Sequence, residues 1–187
     1  MLSIENLKNF LTENGQPSFR ALQVYQGIYK DLKMDFDDIK TLPANLRELL
    51  KQNVKILSLK KLFEFKSKDG TVKTLFELED GKKIEAVMMP FEDGRITVCI
   101  SSQIGCAFKC KFCATGTMGF GRNLTAEEIT DQVLYYDQML MSEGKRVTHI
   151  VYMGMGEPFM NFDNMKESLL WFNDPMALNK GARHITV

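Results

Sequence analysis

Three Asp-Gly pairs, Asp69-Gly70, Asp80-Gly81 and Asp93-Gly94, constrain this 187-residue chain more than any other feature. Asp-Gly is a strong hairpin-turn signal, because glycine accepts the positive φ that tight turns need. The pairs separate four short β-prone runs, Lys60 to Lys66, Val72 to Leu78, Lys83 to Met89 and Ile96 to Ile100. The arrangement predicts an antiparallel meander. Ahead of it the period is helical. Ile4, Leu7, Phe10 and Leu11 follow Ser3, a candidate cap, and Gly15 is a candidate stop. Ser18 precedes a second periodic set, Phe19, Leu22, Tyr25, Ile28, Tyr29 and Leu32. A third, Leu46, Leu49 and Leu50, follows Pro43. Together they predict a small module of three amphipathic helices.

Beyond the meander the chain alternates. Thr125-Ala-Glu-Glu128 is a capping box opening a helix that carries Ile129, Val133 and Tyr136 and stops near Gly144. Thr148 to Met153 is a buried-strand run, a helix follows around Asn164 to Phe172, and Arg183 to Val187 begins another strand. Strand–loop–helix alternation implies a parallel βα sheet. A parallel sheet broken off in that last strand has an unpaired edge, so a longer parent protein is expected. His149 and His184 fall in or beside strands, where packing explains them, and Met88, Met89, Met139 and Met141 read as core filler.

Charge excludes some classes of function. Lysine and arginine balance aspartate and glutamate at 24 each, so no global field draws nucleic acid or membrane. Residues 51 to 83 nevertheless hold nine lysines against five acidic residues. By itself such an excess is most simply a solvated face. No apolar run approaches the roughly 18 residues of a membrane span. Clustered thiols without an export signal predict a reducing, cytoplasmic setting.

Three of the four cysteines crowd into Cys106-Ala-Phe-Lys-Cys110-Lys-Phe-Cys113. Thiolates gathered in one loop suit soft metal centres, iron–sulfur or zinc. Three thiolates on a four-iron cluster leave one iron open to substrate or cofactor, whereas structural zinc takes four ligands and closes its site. A second candidate is Gly154-Met-Gly-Glu-Pro158, at the end of the next strand. There Gly154 and Gly156 admit a ligand to the backbone, and Glu157 can accept hydrogen bonds from an ammonium group. Alone, that loop would be an ordinary turn with a solvent carboxylate.

Together these residues resemble the radical SAM superfamily, in which three cysteines at this spacing hold a [4Fe–4S] cluster that binds S-adenosyl-L-methionine (SAM). Cys99-Ile-Ser-Ser-Gln-Ile-Gly-Cys106, Gly119-Phe-Gly-Arg-Asn-Leu-Thr125 and Met153-Gly-Met-Gly-Glu-Pro158 are similar to the RNA adenine-C2 methyltransferases. Those enzymes act on adenine 2503 of 23S rRNA and adenine 37 of tRNA. The resemblance extends over essentially the whole chain. It implies an α/β fold: a helical accessory, RNA-binding module over 1–52, a β-meander and linker over 53–94, and over 95–187 the first half of a partial (β/α)6 radical SAM barrel, broken in its third strand.

The resemblance also assigns roles. Cys106, Cys110 and Cys113 ligate the cluster, and Gly156 and Glu157 bind SAM. Cys99 resolves a covalent enzyme–RNA intermediate and Glu85 accepts a proton. One SAM methylates a carrier cysteine of the enzyme, and a second yields the 5′-deoxyadenosyl radical that activates that methyl for addition to adenine. The carrier cysteine belongs to the family's C-terminal part, so these 187 residues alone are expected to be inactive. A reducing electron donor such as flavodoxin, a monomeric state and no membrane partner are further expectations. RNA contact is expected from the N-terminal helices and from Lys60, Lys61 and Lys73. Two other readings stand beside this one. Methylation could fall on carbon 8 of the same adenine, as in the antibiotic-resistance branch. In a different class, Cys99, Cys106, Cys110 and Cys113 could hold zinc in an RNA-interaction module. A truncation product that never folds stably is a third.

Overall fold

A computed structural model describes residues 4–187; Ser3, the expected first cap, lies outside them. The three expected helices form as α1 (Ile4–Glu13), α2 (Arg20–Tyr29) and α3 (Ala44–Asn53). Leu7 and Leu11, Val24 and Ile28, and Leu46 and Leu50 are fully buried along their inner stripes. Gly15, at φ +67°, ends the first helix as expected.

The second helix departs from expectation. Its cap position is Phe19, which is already helical, and no side chain caps it. Ser18 gives only its carbonyl, to the Ala21 N–H at 3.0 Å. The turn that starts at Pro17 already aligns the backbone, so the buried stripe runs through Ala21, Val24, Tyr25 and Ile28. Phe19 and Leu22 face outward.

The meander forms within a residue of the expected bounds: β1 (Leu59–Lys66), β2 (Val72–Leu78), β3 (Lys83–Pro90) and β4 (Ile96–Cys99). Its three loops repeat one geometry. Gly70, Gly81 and Gly94 have φ of +86°, +75° and +85° and donate to the carbonyls of Ser67, Leu78 and Phe91. The carboxylates of Asp69, Asp80 and Asp93 accept from the N–H two residues on, at Thr71, Lys82 and Arg95. This is the three-residue loop of a type I turn followed by a left-handed glycine.

After β4 the chain makes a small hairpin, β5 (Gln103–Gly105) with β6 (Phe120–Asn123), enclosing the short helix α4 (Ala114–Thr117). There follow α5 (Ala126–Leu140), β7 (His149–Val151), α6 (Phe162–Asn173) and β8 (Ile185–Thr186). The main sheet has the order β1-β2-β3-β4-β7-β8, antiparallel as far as β4 and parallel thereafter. The expected strand from Thr148 to Met153 is shorter, His149–Val151, although the Tyr152 N–H still donates to the Thr186 carbonyl at 3.0 Å. Residues Ala182–His184 form a 3-10 turn, so the last strand starts at Ile185, later than expected. Met88 is core, whereas Met141 is exposed.

One sheet face packs against the helices through Val72, Phe76, Ile84, Ala86, Val98 and Ile150, all buried. The Tyr136 hydroxyl of α5 donates to the Ala86 carbonyl at 2.8 Å. The accessory helices join the same core: the Tyr29 ring meets Trp171 of α6 edge-on at 4.7 Å. The opposite face is open. Across it the strand register places Phe65, Lys73, Val87, Cys99, Val151 and Thr186 in one row. Among the described residues no helix is long and apolar enough to cross a membrane.

Candidate active site

The two candidate loops lie side by side, because β4 and β7 are parallel neighbours and each loop leaves a carboxyl end. In βα folds that edge is where ligands bind. The cysteine loop hangs from the β5–β6 hairpin, where the Cys106 N–H donates to the Gly119 carbonyl at 3.0 Å. A side chain at Gly105 would place its Cβ 1.7 Å from that carbonyl oxygen, so only glycine allows the hairpin to close. Cys106 is buried, Cys113 half-buried and Cys110 exposed, and all are free thiols. Backbone N–H groups of Gly116 and then Thr115 hold the Cys113 thiol below its ordinary pKa, which favours the thiolate a metal takes.

Phe108, Phe112, Met118, Phe120, Met153 and Phe159 stand exposed around this edge.

The second loop is fixed from below. Gly156 sits at φ +97°, and a Cβ there would come within 2.5 Å of the Gln103 Cβ and 2.7 Å of its backbone nitrogen. The Gln103 side chain accepts from the Glu157 N–H at 2.9 Å and donates to Asn123 at 2.8 Å. The Ser101 hydroxyl accepts from the Met155 N–H at 2.9 Å and donates to the Glu85 carbonyl at 2.6 Å. Asn161 ties the Ser102 and Leu124 carbonyls, each at 2.8 Å. Glu157 Oε1 also accepts from the Phe159 N–H at 3.2 Å, capping the 3-10 turn Pro158–Asn161.

Sequence reasoning gave Ser101, Gln103, Asn161 and Gln132 no roles, although Gln132 bonds both backbone atoms of Ser101. The available signal was the polar run Ser101-Ser102-Gln103 directly after an apolar strand.

Glu85 and Cys99 share the open face on adjacent strands, one step off direct pairing, since Val87 opposes Cys99. Side chains in that diagonal relation stand roughly 7–8 Å apart at Cα. The Glu85 carboxylate pairs with Lys73 at 3.0 Å. Burial raises the Cys99 thiol pKa, and the Met153 N–H opposes that shift.

Arg122 then ties this face to the cysteine hairpin. Its guanidinium grips both oxygens of Glu128 at 2.7 Å and reaches Asp80, in the β2–β3 loop, at 2.7 Å. Glu128 in turn closes the expected capping box with Thr125. Fork-to-fork pairing of this kind fixes orientation as well as charge.

The donor set fits an iron–sulfur cluster better than one zinc ion. The loop supplies three thiols, one short of the four ligands of a structural zinc site. Cys99 belongs to the sheet face, away from the loop thiols. A four-iron cluster asks each thiolate to meet its own iron, so the three sulfurs need no common point.

Comparisons with known proteins point to the same superfamily. Residues 1–56 match the ribosomal RNA large subunit methyltransferase N-terminal domain, and residues 100–186 match the radical SAM superfamily. A probable dual-specificity RNA methyltransferase of Staphylococcus saprophyticus is 45% identical over 186 residues, covering 100% of this chain and 51% of the relative. Its counterpart in Staphylococcus aureus is 44% identical with the same coverage. The crystal structure of a radical SAM methyltransferase from Sphaerobacter thermophilus superposes with a TM-score of 0.93 at 41% identity, covering 100% of this chain and 55% of that one. The expected α/β partial barrel is therefore correct, and the chain spans about half the length of the curated relatives it matches. Over its whole length the chain is similar to dual-specificity RNA methyltransferases, and residues 100–186 carry the radical SAM match.

Proposed function

We propose that this chain is the radical-generating part of an enzyme that methylates carbon 2 of adenine in 23S rRNA and in tRNA. The observation that carries the reading is the pairing of two loops on adjacent parallel strands, one with three free cysteines and one with Gly154 to Pro158. Cys106, Cys110 and Cys113 would hold a [4Fe–4S] cluster, and Gly156 and Glu157 would bind SAM. When bound, the cluster supplies the electron that cleaves SAM to an organic radical.

The chain's own residues then have separable tasks. The Gly154–Glu157 backbone, held by Gln103 and Ser101, offers a preformed cradle, and the Glu157 carboxylate can accept hydrogen bonds from an ammonium group. Glu85 would take a proton from a substrate lying on the open face, its carboxylate oriented by the ion pair with Lys73 at 3.0 Å. Cys99, on the same face, would resolve a covalent link between enzyme and RNA. Its raised pKa fits a thiol held in reserve until a base removes its proton.

The division into an RNA-binding module over 1–52, a linker over 53–94 and a barrel segment over 95–187 belongs to this reading. So do a flavodoxin-like electron donor, a monomeric protein and a cytoplasmic location. The four cysteines of the sequence are all assigned, so the methyl-carrying cysteine is expected elsewhere in the parent polypeptide.

The test is mass spectrometry of 23S rRNA and tRNA from cells that lack, and then regain, the gene carrying this sequence. The reading expects 2-methyladenine to vanish and return. Appearance of 8-methyladenine instead would place the enzyme in the carbon 8 branch, and no change at either carbon would refute RNA methylation.

A further inference from the structure

The open sheet face does not end at Glu85. Outward along it lies a groove of about 400 Å³ lined by Phe63, Phe65, Lys73, Leu75 and Glu85. Phe63 and Phe65 are 62% and 60% exposed, on the edge strand β1, where an isolated sheet would bury or replace large aromatics. Both point to the open face, since Phe63 opposes Leu75 and Phe65 opposes Lys73. Residues two apart on a strand are about 7 Å apart. That separation admits one flat base between two rings, because stacked bases repeat at about 3.4 Å. Phenylalanines presented on a sheet face are a recurrent platform for single-stranded RNA.

We propose that this groove seats a nucleotide of the RNA strand flanking the target adenine, with its base stacked on Phe63 and Phe65 and its phosphate near Lys73. The proposal rests on the RNA-methylating reading and deepens it.

Three observations select RNA as the occupant. First, the groove is continuous with the site. Phe65, Lys73, Val87 and Cys99 form one cross-strand row, so Phe65 stands three strand spacings, about 14 Å, from Cys99. That is a few nucleotides, too far for the target base and right for a neighbour in the same strand. Second, Glu85 lines the groove and is also the residue assigned to the substrate's proton. Third, charge favours a polyanion: residues 51 to 83 hold nine lysines and five acids in a chain of zero net charge. The register puts Lys60, Lys73 and Lys83 on this face against Glu77 and Glu85, a small basic excess. Lys61 lies off this face, since it opposes Phe76 on the helix-bearing side and bonds Glu64 at 3.0 Å.

The experiment uses the whole protein and an RNA hairpin carrying the target adenine in its loop, with 2-aminopurine placed in turn at each flanking position. Binding should quench the probe at one flanking position. Phe63→Leu and Phe65→Leu keep the apolar volume without the ring. Each should abolish the quench and weaken RNA binding about tenfold, and Phe65→Trp should retain both. Lys73→Gln should lower the salt slope of binding by about one. Circular dichroism checks that each variant is folded.

If the Leu variants bind with wild-type affinity and unchanged quenching, the groove is no RNA seat, and the methylation reading stands without it. The groove is equally ruled out if no position quenches although RNA binds, as would happen if another segment of the parent polypeptide covered it. Failure of the wild type to bind RNA at all would overturn both.

Discussion

The two loops at the carboxyl edge of the sheet are adjacent in space and opposite in construction. The Gly154–Pro158 loop rests on a polar lattice of Ser101, Gln103, Asn123 and Asn161, with no room for a side chain at Gly156. The cysteine loop has a closed neck at Gly105 and Gly119. Its tip is loose by comparison, with Cys110 exposed and Phe112 94% exposed. Such a contrast implies a division of labour. On the proposed function, one loop is a finished cradle for a ligand, while the other would take its working shape from the metal centre it binds, as small metal sites commonly do.

The largest effect expected is on metal. Cys110→Ala should remove nearly all bound iron, because two remaining loop thiolates cannot hold the cluster. The same change should shift the melting of the metal-free protein by less than about 0.5 kcal/mol, as exposed substitutions do. Iron content and a thermal melt read the two halves of that statement. A large loss of apo stability would mean that the tip is packed in its own right.

Gly156→Ala should do the reverse. It meets Gln103 at 2.5 Å with a positive φ, so the cost should be about 2–4 kcal/mol in a urea titration, with SAM affinity lost. A neutral outcome would dissolve the contrast between the loops.

Arg122→Ala tests what joins them to the meander. It leaves the nearly buried Glu128 carboxylate without its bidentate partner and frees the Asp80 loop. Since Arg122 is one-third exposed, about 2 kcal/mol is expected, below the cost for a fully buried pair. Arg122→Lys should recover only part of it.

The smallest effect is a pH slope at Asp131, a buried carboxyl on α5 that accepts from the Ser58 N–H at 2.7 Å and anchors the entry to β1. Burial pushes its pKa up to about 6, against the Ser58 bond, which lowers it. The folded state therefore keeps a proton that the unfolded chain has lost, and stability should fall as pH rises from about 4 to about 6. Asp131→Asn should flatten that fall and match the wild type near pH 4, as read by urea midpoints across the range.

The meander was legible in the sequence because Asp-Gly sets a local geometry that tertiary packing had no reason to override; the expected starts and ends of β1, β2 and β3 lie within a residue of those observed. The capping box at Thr125 and Glu128 was legible for the same reason. Less legible were features decided at a distance. Phe19 and Leu22 have helical spacing, yet Ile39 and the core took the neighbouring stripe. The strand after Thr148 ends at Val151, ahead of the glycine loop whose Gly154 N–H returns to the Ile100 carbonyl on the neighbouring strand. In the site, the cysteines and glycines announced themselves by spacing, whereas the roles of Ser101, Gln103 and Arg122 depend on partners from other elements. The lysines of the meander looked alike in sequence, and only the strand register separated Lys61 from Lys60 and Lys73.

The most direct measurement is the metal and sulfide content of protein reconstituted anaerobically, followed by electron paramagnetic resonance of the reduced state with and without SAM. A radical SAM site should give about four irons and four sulfides per chain, and a signal that changes when SAM is added. About one zinc per chain, no sulfide and no colour would contradict it, and the three-cysteine loop would then be a structural metal clip and no radical site.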